Sequence, residues 1–297
     1  MKKLLLTGAT GLIGTAIVGE AIQREYKVTC LVNPNSTREA NIPKHKNITI
    51  THCNIDEYNA FEVKEKYDVF MHLAWEKTVG SGRDDVDTQL KNIQHTLDAI
   101  KLAKRAGCKT FVGAGSQAEY GVQKVNLTPE LAVQPTSGYG IAKYAAGCLG
   151  KLLCEQLGVH FNWIRILSTY GKNDGEHTLI SHCINELKNG RSPQLTKCEQ
   201  IWDYLNAKDA ACAFFAVAER GIDGKIYPLG AGVGRSLRDY AIEIAQIINP
   251  EIQLDFGVKE YYPHQPMYLV ADISELTQDT GWKPSISFSE GIKEMLV

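Results

Sequence analysis

Two rhythms alternate along the first 170 residues. Short apolar runs at 3–7, 27–32, 48–52, 69–73, 110–113 and 162–167 have the length and composition of buried strands. Longer amphipathic runs lie between them, notably 12–25, 85–106 and 139–156, and these suit helices. Strand–helix alternation implies a parallel sheet with helices on both faces. The expected fold is therefore α/β, a Rossmann doubly wound sheet. Ligands of such sheets sit beyond the carboxyl ends of the strands. Gly8 to Gly14, Asn33, Asn54, Ala74, Ser116 and Ser168 all fall just past a predicted strand.

After Tyr170 the segments shorten and turns multiply, at 171–175, 190–193 and 230–234. A smaller mixed α/β C-terminal lobe for substrate is expected from about 171–200 and 225–297. The Rossmann domain then comprises 1–170 and about 201–224, with 206–220 as a helix returning to the main sheet.

Composition narrows the partners. A chain of 297 residues with 44% hydrophobic content buries one large core with a lobe attached. A net charge of -2 and no dense basic tract argue against nucleic acid. The first apolar run ends at Thr7-Gly8, too short for a secretory core, and no stretch is long enough for a bilayer. A cytoplasmic chain with no membrane partner is expected. Eight cysteines, at 30, 53, 108, 148, 154, 183, 198 and 212, include no Cys-x-x-Cys pair. They read as reduced, packed thiols, with neither disulfides nor a metal site.

The chemistry begins at Gly8-Ala9-Thr10-Gly11-Leu12-Ile13-Gly14, between a strand and a helix. Glycines at three-residue spacing permit a tight turn and close approach of a pyrophosphate, to which the following helix offers free N–H groups. An acidic residue about 20 positions on selects NAD. Asn33 stands there instead, followed by Ser36 and Arg38, which tolerate or bind a 2′-phosphate. The cofactor expected is NADPH, with NADH still open.

Tyr-x-x-x-Lys occurs three times, as Tyr120/Lys124, Tyr139/Lys143 and Tyr204/Lys208. Tyr139 opens a predicted helix, so Lys143 lies one turn on and on the same face. Tyr120 leads into a turn and Tyr204 sits in a strand-like apolar run. A phenol titrates near 10, and an adjacent ammonium helps bring it toward working pH. Tyr139 then donates a proton to a carbonyl oxygen as hydride reaches its carbon. Ser116 hydrogen-bonds the developing alkoxide, and Lys143 also holds the nicotinamide ribose.

These residues resemble the extended short-chain dehydrogenase/reductases of the NAD-dependent epimerase/dehydratase family, which act on nucleotide sugars. The likeness extends through His72-Leu73-Ala74, Asn92, the run Gly115 to Gly121, Arg165 to Gly171, Trp202-Asp203-Tyr204-Leu205, Asp272 and Gly281-Trp282-Lys283-Pro284. It implies that Gly8, Thr10, Gly11, Leu12, Ile13 and Gly14 hold the dinucleotide. Asn54 and Ile55 flank its adenine, Leu73 and Ala74 line its site, and Asn92 either lines it or is mainly structural. Tyr139 and Lys143 meet its nicotinamide end. Gln117, Ser168, Thr169 and Trp202 fall to the sugar nucleotide. His177 is a sugar contact or an exposed loop histidine; Arg235 is a diphosphate contact or a surface arginine. A homodimer is also expected.

Departures from the family pattern sharpen the reading. Dehydratases place Asp-Glu directly after the catalytic Ser/Thr, whereas Gln117 and Ala118 stand here. Fucose-synthase-type epimerase-reductases place a cysteine beside the serine, and Gln117 occupies that position. Ser168 and Trp202 replace the Asn and Arg of many epimerases. The segments 115–121, 174–180 and 200–204 most resemble the 4-keto-6-deoxyhexose reductases, which make CDP-abequose, CDP-paratose or dTDP-fucose for bacterial surface polysaccharides. The expected activity is NAD(P)H-dependent reduction of a nucleoside-diphosphate-4-keto-6-deoxyhexose. Two alternatives stay open, a nucleotide-sugar epimerase that retains NAD and a non-catalytic dinucleotide-binding redox sensor.

Overall fold

The first strand is buried along its length and sends alternate side chains into two different cores, which sets the layering. In a computed structural model describing residues 1–261 and 265–297, β1 (Lys3–Thr7) sends Leu4 and Leu6 into one core and Leu5 into another. β2 (Lys27–Val32), β3 (Ile48–His52), β4 (Val69–His72), β5 (Thr110–Ser116) and β6 (His160–Ile166) join it in a parallel sheet. Helices α1 (Leu12–Gln23) and α5 (Ala207–Arg220) cover one face, where Ile17, Val18, Phe214 and Val217 are buried. Helices α2 (Val86–Arg105) and α3 (Gly138–Leu157) cover the other over Phe70, Phe111 and Phe161.

The smaller lobe contains β7 (Ser168–Tyr170), α4 (Leu179–Lys188), β8 (Ile201–Trp202) and β9 (Tyr204–Asn206). After β10 (Ile226–Leu229) come β11 (Arg235–Ser236), α6 (Leu237–Ile248), β12 (Tyr268–Leu269), α7 (Ser274–Thr280) and α8 (Phe288–Met295). β11, β8 and β12 form a three-stranded sheet, and β7 pairs with β9. Tyr204, whose spacing to Lys208 mimics the catalytic pair, packs with Tyr170, Tyr240 and Phe288 in an aromatic cluster.

The lobe boundary differs from the one the sequence suggests. Ile226–Leu229 pairs in parallel with β6 and is the seventh strand of the large sheet. Leu276 and Trp282 also pack in that sheet's core. A four-residue buried strand has no periodicity of its own to announce it. Conversely, Ile201–Trp202 belongs to the three-stranded sheet of the smaller lobe. β5 also runs three residues further than expected, to Ser116, because Gly113 and Gly115 leave room for the Trp163 ring of β6. Among the cysteines, Cys148 is exposed rather than packed.

Glu119 fixes this end of β5. Only 1% exposed, it accepts from the Ser116 amide at 2.8 Å, Trp163 Nε1 at 2.9 Å and Arg165 Nε at 2.8 Å. Removing one partner of a buried ion pair strands the other in a water-poor site. Glu119→Ala is expected to cost about 3–5 kcal/mol of folding stability, read from urea unfolding; a loss below about 1 kcal/mol would show that the pair holds little in place.

Candidate active site

The sheet order β10-β6-β5-β4-β1-β2-β3 reverses direction between β1 and β4. At that switch point a cleft of about 520 Å³ opens beyond the strand ends. Its floor is the turn after β1. Gly8 has φ +75°, and a Cβ there would stand 2.7 Å from the Leu73 carbonyl carbon. A Cβ on Gly14 would lie 2.1 Å from the Gly8 carbonyl oxygen, so the third glycine lets α1 pack on the turn. Gly11 is the N-cap of α1 and offers no side-chain cap, which leaves the first amides of the helix available to an anion.

Gly8, Thr10, Gly11, Asn33, Ser36, Arg38, Ile55, Leu73 and Ala74 line this cleft. Asn33 Oδ1 accepts from the Asn35 amide at 2.8 Å, shaping the loop that carries Ser36 and Arg38. Three residues of the turn expected at the dinucleotide do not line this cleft. Leu12 faces a separate groove, Ile13 packs against the core, and Gly14 is buried beneath the turn. Asn54 caps a short turn of helix, its amide bonded to Glu57 Oε2 at 2.8 Å. The residues fit a dinucleotide: a glycine cradle meets a helix N-terminus, and no carboxylate stands at position 33. Asn92 acts from beneath, accepting from the Glu76 amide and donating to its carbonyl, each at 3.0 Å.

Tyr139 and Lys143 share a face of α3, which Ser137 caps by accepting from the Gly140 amide. Ser116 Oγ accepts from the Ala118 amide at 3.2 Å and faces the Tyr139 phenol. Burial raises the Tyr139 phenol above its ordinary value, while the facing Ser116 hydroxyl and the Arg83 charge pull it back. The sequence reading assigns that pull to Lys143. Arg83 takes the nearer place, its guanidinium 4.4 Å from the Tyr139 ring centre, with Lys143 Nζ at 5.9 Å.

Lys143 is 4% exposed and donates to the Ala114 carbonyl at 2.6 Å. Burial pushes its ammonium down to about 7, and the charge of Glu119 resists that fall. Below this pH the lysine is charged; above it the charge is lost.

Trp75 and Arg83 escape the sequence reading. A bulky aromatic just past a strand's carboxyl end was the one available signal for Trp75. Arg83 lies in a turn with no periodicity, and only the fold brings it to Tyr139.

In the smaller lobe, Ser168 Oγ accepts from Trp202 Nε1 at 2.7 Å, which joins two of the expected sugar-side residues. Arg235 stands directly across from Trp202 in the β11–β8 pairing. Its guanidinium bonds Glu243 at 2.6 Å and lies 4.4 Å from the Tyr240 ring centre. Gln117 and Thr169 are half-buried, and His177 is exposed.

The family model described as NAD dependent epimerase/dehydratase family matches residues 4–230, and the chain belongs to that family. CDP-abequose synthase of Salmonella muenchen is 24% identical, the match covering 99% of this chain and 97% of that protein. dTDP-glucose 4,6-dehydratase of Haemophilus influenzae is 25% identical, with 99% and 96% covered. Among solved structures, UDP-N-acetylglucosamine 4-epimerase from Methanobrevibacter ruminantium M1, in complex with UDP-N-acetylmuramic acid, shares the fold at a TM-score of 0.89. It is 23% identical over 99% of this chain and 98% of its own. No helix among the described residues is long and apolar enough to cross a membrane.

Two outcomes test the pair. Tyr139→Phe is expected to retain dinucleotide binding while turnover falls by about 10²-fold or more, the scale of a lost positioned acid. Near-normal turnover would remove Tyr139 from that role. If the Lys143 ammonium holds the cofactor ribose, dinucleotide affinity weakens as pH rises through about 7. Lys143→Met should bind weakly at every pH; a wild-type affinity that is flat across pH 6–9, on the order of the range around that titration, would remove the ribose contact.

Proposed function

We propose that this chain reduces the 4-keto group of a nucleoside-diphosphate-4-keto-6-deoxyhexose with NADPH. The observation that carries the reading is local. Ser116 and Tyr139 stand together at the end of β5, and the two residues after Ser116 are Gln117 and Ala118. Neither side chain can act as acid or base, so the Asp-Glu pair expected of a dehydratase is missing at these two positions. The relatives include a dTDP-glucose 4,6-dehydratase as similar as the CDP-abequose synthase, so the reading leans on these positions rather than on overall identity.

The nicotinamide, when bound, supplies the hydride to the ketone carbon. The Tyr139 phenol, held protonated by burial, gives its proton to the carbonyl oxygen. Ser116 turns its O–H toward the same oxygen and stabilises the charge that develops there. Arg83 stabilises the tyrosinate left behind until solvent returns a proton. Ser36 and Arg38, with Asn33 in place of a carboxylate, support NADPH over NADH. Ser168, Thr169, Trp202 and Arg235 are assigned to the sugar nucleotide, with Gln117 at the reacting end and His177 at its rim.

A homodimer is supported by apolar side chains left in water on one pair of helices. Val86 and Leu90 of α2 are 73% and 65% exposed, and Ile141, Leu149 and Leu152 of α3 are 54%, 44% and 54% exposed.

CDP-, dTDP- and GDP-linked 4-keto-6-deoxy sugars are to be offered with NADPH, following its consumption and the product alcohol. At least one is expected to be reduced. No consumption with any of them, or interconversion of hydroxy epimers by protein carrying bound NAD, overturns the reading. Arg38→Ala is expected to weaken NADPH by roughly one to two orders of magnitude and NADH far less. Because Arg38 is exposed, salt screening lowers that ratio; equal loss for both cofactors would show that this loop does not read the phosphate.

A further inference from the structure

Trp75 is the third residue of the segment that follows β4, and side chains of α2 bind that segment. Its indole Nε1 donates to Gln89 Oε1 at 2.9 Å. Gln89, 2% exposed, donates in turn to the carbonyls of Lys77 at 3.1 Å and Gly82 at 3.0 Å. Asn92 clamps the neighbouring Glu76 through both of its backbone groups. The indole is thus oriented by a buried network rather than left to rotate.

Its two surfaces meet different members of the acid pair. Lys143 Nζ sits 3.7 Å from the centre of the Trp75 ring, and Tyr139 packs edge-on at 6.0 Å with an interplanar angle of 82°. Trp75 also lines the dinucleotide cleft, while neither Tyr139 nor Lys143 does. The indole therefore borders both the cleft and the pair.

A buried ammonium needs compensation for three N–H groups and one charge. The Ala114 carbonyl accepts one of them. Glu119, the carboxylate whose charge reaches Lys143, already serves Arg165, Trp163 and the Ser116 amide. His72 on β4 is held neutral by burial, pushed down to about 3, and is bonded to Thr7 at 2.8 Å. Tyr139 is a neutral phenol, and the indole of Trp163 lies at 5.8 Å. The nearest group still able to stabilise the cation is the Trp75 face, at a distance where a desolvated cation–π contact is strong.

We infer that Trp75 is a positioning residue for the acid pair: its ring face keeps the Lys143 ammonium charged and seated against Ala114, and its perpendicular packing sets the Tyr139 ring. The inference rests on reading Tyr139 and Lys143 as that pair. It does not depend on which sugar is reduced.

The test follows the charge itself. In protein labelled with ¹³C at the lysine ε-carbons, the Lys143 resonance is assigned by its loss in Lys143→Met and titrated without cofactor or substrate. Trp75→Leu keeps apolar cover but removes the π face, so the ammonium midpoint is expected to fall by about one pH unit, or roughly tenfold in proton affinity. Trp75→Phe restores a ring and should return the midpoint most of the way. The alkaline limb of the pH–rate profile for sugar reduction should move in the same order. An unchanged or raised midpoint in Trp75→Leu overturns the inference, and so does an equal shift in both variants, which would reduce Trp75 to packing. If wild type reduces no sugar nucleotide, the functional reading fails while the titration still decides the role of Trp75.

Discussion

A buried carboxylate governs the reacting end of the sheet. Glu119 receives hydrogen bonds from the backbone of Ser116 and the side chains of Trp163 and Arg165, so a single group locks the end of β5 to β6. The consequences spread outward from it. Trp163, held by its indole N–H, lies flat against Gly113, Gly115 and Gly147, where any side chain would collide with its ring. The small residues of α3 let that helix approach the sheet, and the approach carries Tyr139 and Lys143 to the strand ends. Arg165 stacks at 4.5 Å over Tyr120 and leaves its Nη1 without a partner, a cost borne in the interior.

The same end of the sheet contains the topological reversal between β1 and β4, and the two features are complementary. The reversal opens a cleft that needs no catalytic group of its own, only glycines and free amides. The carboxylate supplies a rigid platform one strand away. Trp75 joins the two, because the chain leaving β4 must pass between the cleft and α3. The opening and the platform therefore meet at one seam, at the carboxyl ends of β4 and β5.

Much of this was legible in sequence, for identifiable reasons. Strands β1 to β6 and helices α1, α2, α3 and α5 announce themselves because periodicity encodes burial directly. The glycine turn is legible because its steric demands exclude other residues, and the shared helix of Tyr139 and Lys143 because the run after Ser137 carries a helical pattern. Strand β10 was not legible, since its identity lies in pairing with β6 rather than in its own four residues. Nor were the roles of Trp75 and Arg83. Both act from an irregular segment whose geometry is written in α2, through Gln89 and Asn92, and polar contacts between distant segments leave no periodic trace.

The smaller lobe shows why specificity is harder to read than chemistry. Where many family members place an arginine, Trp202 lies against Ser168, and the nearest cation across the ladder is Arg235. Arg235 is bound to Glu243, but that pair is about one-third and one-quarter exposed, a setting in which an ion pair contributes little. A diphosphate carries more charge than one carboxylate and accepts a bidentate guanidinium. The pair therefore opposes exchange weakly, while the Tyr240 ring beneath keeps the guanidinium plane in place. With the cation on β11 rather than β8, the apolar Trp202 ring and the Arg235 guanidinium stand side by side across the ladder, so charge and apolar surface come from two strands instead of one.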